Sequence, residues 1–158
     1  MIVRSPWNFT GLDASGRPTR VFVNNPRPIQ FSKITDGTSH TFLLGEKYVR
    51  SDLYEGAGKS DDQGWADGWD PDGIRSTCFQ PYQDSDPIGF KFEPLNSNMD
   101  IFGRDQDTYY FGSAHTGGFN GIFADGSIRT LSYDVDVVLF NALATRAGDE
   151  VIDESSVN

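Results

Sequence analysis

The segment from Phe111 to Tyr133, FGSAHTGGFNGIFADGSIRTLSY, constrains the fold more than any other stretch of the chain. Two strand-like runs, Phe119 to Ala124 and Ser127 to Ser132, are separated by Asp125-Gly126. That pair suits the positive φ angles of a type I′ turn, so a β-hairpin is expected over about 119–132. A two-residue turn would set Phe123 opposite Ile128 on one face and bring Ile122 near Leu131 on the other. With apolar side chains on both faces, the strand pair is expected inside a sheet covered on both sides.

Composition points the same way. Aromatic residues make up 13% of the chain (Phe 12, Tyr 6, Trp 3), and bulky rings favour strands over helices. At 158 residues the chain is expected to form one globular domain over 1–158, with a core large enough to need no disulfides. Cys78 is the only cysteine, so no intramolecular disulfide can form. The formal charge of -10, from 23 acidic and 13 basic residues with no basic patch, opposes binding to nucleic acid. No signal-peptide pattern follows Met1 and no apolar run is long enough to span a bilayer, so the chain itself is expected to make no membrane contact.

Residues 1–30 are rich in turn formers and read as an irregular or edge segment with one short strand at Thr19 to Val23. Thr35-Asp36-Gly37-Thr38-Ser39 reads as a tight turn, and Thr41 to Tyr48 as a buried strand. Glu46 within it is expected to pair with Lys47 or Arg50 or to be solvated, the alternative being a catalytic or metal-binding carboxylate. Ile74 to Phe79 reads as another strand, and Gly89 to Phe92 as a short one. A helix is expected over about 134–146, with Val135, Val138, Leu139, Ala142 and Leu143 on its apolar face. Asp134 or Asp136 would cap it, Arg146 suits its last turn, Gly148 fits past its end, and the acidic tail 149–158 is expected to fray. The fold class is therefore α+β, a mainly antiparallel sheet with long loops and a C-terminal helix.

Chemistry is sparse in this sequence. The polar, glycine-rich stretch 51–73 is longer than an ordinary connection and reads as a functional or mobile loop. Gly58-Lys59-Ser60 lacks the earlier glycine and the following helix of a phosphate-binding loop. Asp67, Asp70 and Asp72 supply oxygen ligands that suit calcium, although their spacing is not that of an EF-hand. Trp65 and Trp69 could stack on sugars, which makes a carbohydrate-binding module one alternative function. A second alternative is a hydrolase centred on His115, with Ser113 and Asp125, but no glycine-flanked nucleophile elbow is present. His40 and His115 with one cysteine do not make zinc-ligand spacing. A structural role for His115 has a clear mechanism: its ring can bond backbone or a carboxylate while Gly117-Gly118 lets the chain turn beneath it.

His115, nine intervening residues and Asp125-Gly126 resemble the His-x9-Asp-Gly signature of the prepilin-type processing-associated proteins, also catalogued as DUF1559. The surrounding FGSAH, GGFN, FADGS and LSY, with ALATR in the helix, are similar to that family's C-terminal block. ITDGTSHTFLLGE at 34–46 and GWDPDGIRST at 68–77 resemble two further blocks. His40 stands where the family more often has asparagine, which argues against a family role for it.

The resemblance implies a non-enzymatic, extracytoplasmic head domain of a type IV pilin-like or type II secretion pseudopilin-like protein. On this reading the protein is periplasmic, at the cell surface or extracellular, and other pilin-like or secretion-system subunits are its partners. The full-length protein would be anchored by an N-terminal prepilin helix that this sequence lacks. No cofactor is required, and calcium is the ion pilin-like heads sometimes use. His115, Asp125 and Gly126 would be structural signature residues.

Overall fold

The structure, a computed structural model, describes residues 7–12, 14, 18–22, 30–55, 73–86 and 109–148. Strands β1 (Trp7–Leu12) and β2 (Pro18–Phe22) form an antiparallel pair near the start of the chain. The first of these was hidden in the sequence by its flanking turn formers. Its register shifts between Phe9 and Gly11, where Gly11 has a φ of 130°, and the Thr19 hydroxyl donates to the Gly11 carbonyl at 3.0 Å. A bulge at a glycine is the usual way a short strand accommodates such an irregularity.

The main sheet has three antiparallel strands in the order β3 (Phe42–Gly45), β6 (Phe119–Phe123) and β7 (Ile128–Leu131). The expected hairpin is present, but its register is one residue away from the sequence-based expectation. Ile122 pairs with Ile128 and Phe119 with Leu131. The Gly126 N–H donates to the Phe123 carbonyl at 2.9 Å, and the Phe123 N–H to the Ser127 carbonyl at 3.0 Å. Those bonds make Ala124, Asp125 and Gly126 a three-residue connection closed by Gly126 at a φ of 86°. Ala124 is drawn out of the ladder because its N–H donates to the Thr41 carbonyl at 2.8 Å, and the Asp125 N–H donates to the Thr38 carbonyl at 3.0 Å.

A one-residue slip exchanges the faces of a strand. Phe119, Phe123 and Leu131 therefore share the inner face, all fully buried, while Ile122 and Ile128 point outward together. The expectation of a sheet covered on both sides is corrected accordingly. Leu44 pairs with Ile122, so Leu44, Ile122 and Ile128 form one row across the three strands, with exposures of 63%, 37% and 68%.

The inner face packs on helix α1 (Val137–Leu143). The core joins Phe42, Phe111, Phe119, Phe123, Leu131, Val135, Phe140 and Leu143. The helix is shorter than the expected 134–146 span. Asp136, one of the two predicted caps, accepts the Leu139 N–H at 2.9 Å and fixes its start. Its last turn tightens through Ala144 N–H to the Asn141 carbonyl and Thr145 N–H to the Ala142 carbonyl. Phe140, absent from the predicted apolar face, is fully buried, and Val138, placed on that face, is exposed. The Arg146 carbonyl accepts the Thr35 N–H at 2.7 Å, and Asp36 Oδ2 accepts the Gly148 N–H at 2.8 Å, so the 34–38 turn closes the helix C-terminus.

A smaller parallel pair, β4 (Tyr82–Gln83) with β5 (Gly112–Ser113), borders a second core of Tyr48, Cys78, Phe79 and Tyr110. Ile74 to Phe79 lies against it as buried irregular backbone rather than the expected strand. The Ser76 hydroxyl oxygen accepts the Cys78 N–H at 3.3 Å, a local bond that bends the chain where a strand would need it straight. Gly89 to Phe92 lies outside the described residues. Among the described residues no helix is long and apolar enough to cross a membrane.

Candidate functional site

The histidine of the signature lies where β3 changes partners. Through Gly45 the strand pairs with β6, and the Glu46 N–H still donates to the Asn120 carbonyl at 3.0 Å. The Glu46 carbonyl, however, turns away and accepts the Gly112 N–H at 3.0 Å, and Lys47 and Tyr48 continue against Phe111 and Tyr110. The Asn120 N–H is thereby left without a ladder carbonyl. The Glu46 side chain replaces it, its Oε2 accepting that N–H at 2.7 Å. A carboxylate is well suited here, since a charged acceptor strengthens the bond and satisfies a donor that would be costly to leave unpaired.

The other carboxylate oxygen, Oε1, lies 3.4 Å from His115 Nε2. Glu46 thus meets His115 and Asn120 rather than the expected Lys47 or Arg50; Arg50 forms a two-point pair with Asp52 at 3.0 and 2.7 Å. The His115 side chain is 63% exposed and that of Glu46 38%, so solvent screens the pair and its net worth is at most about 1 kcal/mol. The His115 backbone is held more firmly. Its N–H donates to Ser113 Oγ at 3.1 Å, and its carbonyl accepts from the Tyr133 hydroxyl at 2.7 Å. Ser113 Oγ in turn donates to the Gly118 carbonyl at 3.0 Å and lies 3.0 Å from the Tyr133 hydroxyl. Burial pushes the Tyr133 phenol up from its ordinary value, hydrogen bonds with Ser113 oppose this, and the charges of Asp84 and Glu46 add to it.

Asp125 sits at the other end of β6, where its Oδ1 accepts the Ser127 N–H at 2.8 Å. Strand β6 has five residues, so its ends are separated by about 13 Å at the usual rise per residue. Ser113 Oγ meets the His115 backbone but not its ring, and among the described residues no hydrogen bond joins the side chains of Ser113, His115 and Asp125 to one another. Asp67, Asp70, Asp72, Trp65 and Trp69 lie outside the described residues, as does Gly58-Lys59-Ser60. Among the described residues no group of three or more His, Cys, Asp or Glu side chains is placed to hold a metal ion.

Asp84 carries no motif that singles it out in the sequence. In the structure it is buried, with Oδ1 accepting the Val49 N–H at 3.1 Å and Oδ2 accepting the Tyr54 hydroxyl at 2.6 Å. Its backbone joins Ser51 and Ser113, so one residue ties the 49–54 segment to β5. The local sequences, Pro81 to Asp86 and Val49 to Tyr54, give no signal for such a contact. The Asp84 carboxylate pushes the Tyr54 phenol up to about 12 by hydrogen bonding, with burial and charge adding to it. Because folding raises this value, the contribution is fully present below the ordinary tyrosine range and is lost as pH rises through about 12. Spectrophotometric titration should find a tyrosine that ionises at about 12 and returns toward the ordinary value in Asp84→Asn; an unchanged titration would contradict the contact.

A family model described as a protein of unknown function, DUF1559, matches residues 4–138. The chain belongs to that family. No curated protein and no solved structure matches it. In this DUF1559 chain the signature therefore has two separate ends. His115 adjoins the strand exchange at Glu46, and Asp125-Gly126 forms the hairpin connection braced on the 34–46 block.

Proposed function

We propose that this DUF1559 chain is the non-enzymatic, extracytoplasmic head of a type IV pilin-like or type II secretion pseudopilin-like protein, presenting a surface to other subunits. The observation that carries the reading is the exposed row of Leu44, Ile122 and Ile128 on the outer face of the sheet. Scattered exposed aliphatics need no explanation, but three in register on a flat face favour contact with a partner. The resemblance of the three sequence blocks supplies the pilin-like part of the reading. Glu46 and Asp125, meanwhile, direct their carboxylates to backbone N–H groups. Calcium at Asp67, Asp70 and Asp72 would order their loop; a melting temperature unchanged by chelation would remove that ion from the reading.

The test is expression of the tagged gene product from its own locus, followed by cell fractionation and cross-linking. The protein is expected in the envelope or outside the cell, cross-linked to pilin-like subunits, with fewer cross-links in Ile128→Asp. A cytoplasmic protein without such cross-links would overturn the reading.

A further inference from the structure

The sequence offers no zinc-ligand spacing, yet the fold brings together an imidazole and a carboxylate that lie far apart in the chain. His115 Nε2 and Glu46 Oε1 are 3.4 Å apart, longer than an ordinary N–H···O hydrogen bond. Two ligands of a tetrahedral zinc ion, with bonds of about 2.0–2.2 Å, are separated by about 3.3–3.5 Å along the tetrahedron edge. The observed separation fits that edge.

Both groups are also oriented in advance. Glu46 Oε2 is fixed by the Asn120 N–H, which aims Oε1 outward and serves as the outer-shell contact that ligating carboxylates commonly have. The His115 backbone is pinned by Ser113 Oγ on one side and the Tyr133 hydroxyl on the other. The exposure of both side chains leaves room for water to complete the coordination. From this geometry we infer that His115 and Glu46 form a two-residue site for a divalent transition ion of the zinc class, with water as the remaining ligands. Imidazole and carboxylate suit zinc better than calcium, which prefers a larger set of oxygens. The bound ion would clamp the signature loop onto the end of β3. This inference is independent of the pilin-like reading.

The test uses zinc chloride, titrated into the intact chain while the ring resonances of His115 and His40 are followed by nuclear magnetic resonance, with the melting temperature measured in parallel. Zinc is expected to shift the His115 ring saturably, to leave His40 unmoved and to raise the melting temperature; calcium should not shift the His115 ring. Glu46→Gln keeps an acceptor for the Asn120 N–H while removing the anionic ligand, so the fold is preserved. In Glu46→Gln the apparent Kd should rise roughly tenfold or more, as expected when a site loses a group that holds or orients its metal. In His115→Ala the zinc-dependent rise in melting temperature should disappear. An unmoved His115 ring at millimolar zinc would overturn the site. So would equal affinity in Glu46→Gln, which would mark an adventitious ion on a lone histidine.

Discussion

Phe42→Ala is expected to lower the free energy of unfolding by about 3–5 kcal/mol, the range for removing a buried ring from a core that cannot collapse around the gap. Phe42 meets Phe111, Phe119, Phe123 and Phe140 edge-on, at centroid distances of 5.1, 6.3, 5.9 and 5.6 Å. Those rings come from the segment before β5, from β6 and from α1, so the cavity would open at the centre of the inner face. Gly45 and Gly121 adjoin the same ring: a Cβ at Gly121 would lie 2.3 Å from Phe42 Cε2. Leu44→Ala, two residues along the strand on the exposed face, should change stability by no more than about 0.5 kcal/mol. Urea unfolding of the two variants checks the contrast. Equal effects would mean that the faces of the sheet are assigned the wrong way round.

Gly112→Ala is the second substitution with a large expected effect, at about 3 kcal/mol, the upper end of the usual cost of overpacking. A Cβ there would sit 2.1 Å from the Tyr82 carbonyl oxygen and 2.9 Å from Tyr48 Cβ. The first of these is backbone and cannot rotate away, so β4 and β5 would have to part. Gly117→Ala is the matched control, since nothing lies within 4 Å of its added carbon. Thermal melts should separate the two clearly; a Gly112→Ala protein as stable as Gly117→Ala would contradict the pairing of β4 with β5.

The sequence made the hairpin legible, because Asp125-Gly126 between two apolar runs is a local signal. Its register was not legible. That depended on Thr38 and Thr41 drawing Asp125 and Ala124 into the turn, contacts made from a distant segment. The helix was visible through its period and its Asp136 cap, but the choice of Phe140 over Val138 for the core was set by the position of the Phe42 ring. The strand reading failed at Ile74 to Phe79, a buried segment in which Ser76 takes the Cys78 N–H and bends the chain.

The signature histidine was found from the sequence, and its partner was not. Glu46 was singled out as an unusual carboxylate within an apolar strand. Nothing local could show that β3 exchanges β6 for the 110–112 segment at that residue. Without that exchange the Asn120 N–H would have an ordinary ladder partner, and Glu46 would have no reason to turn toward β6 and His115.

The most direct measurement is amide hydrogen exchange at Asn120 in the wild type and in Glu46→Ala. With the carboxylate present, the Asn120 N–H is bonded at 2.7 Å and should be protected. In Glu46→Ala it should lose that protection selectively, with a loss of global stability of about 1–3 kcal/mol for the unpaired donor. Unchanged protection at Asn120 in Glu46→Ala, with unchanged stability, would contradict the role of Glu46 in completing the ladder at the strand exchange.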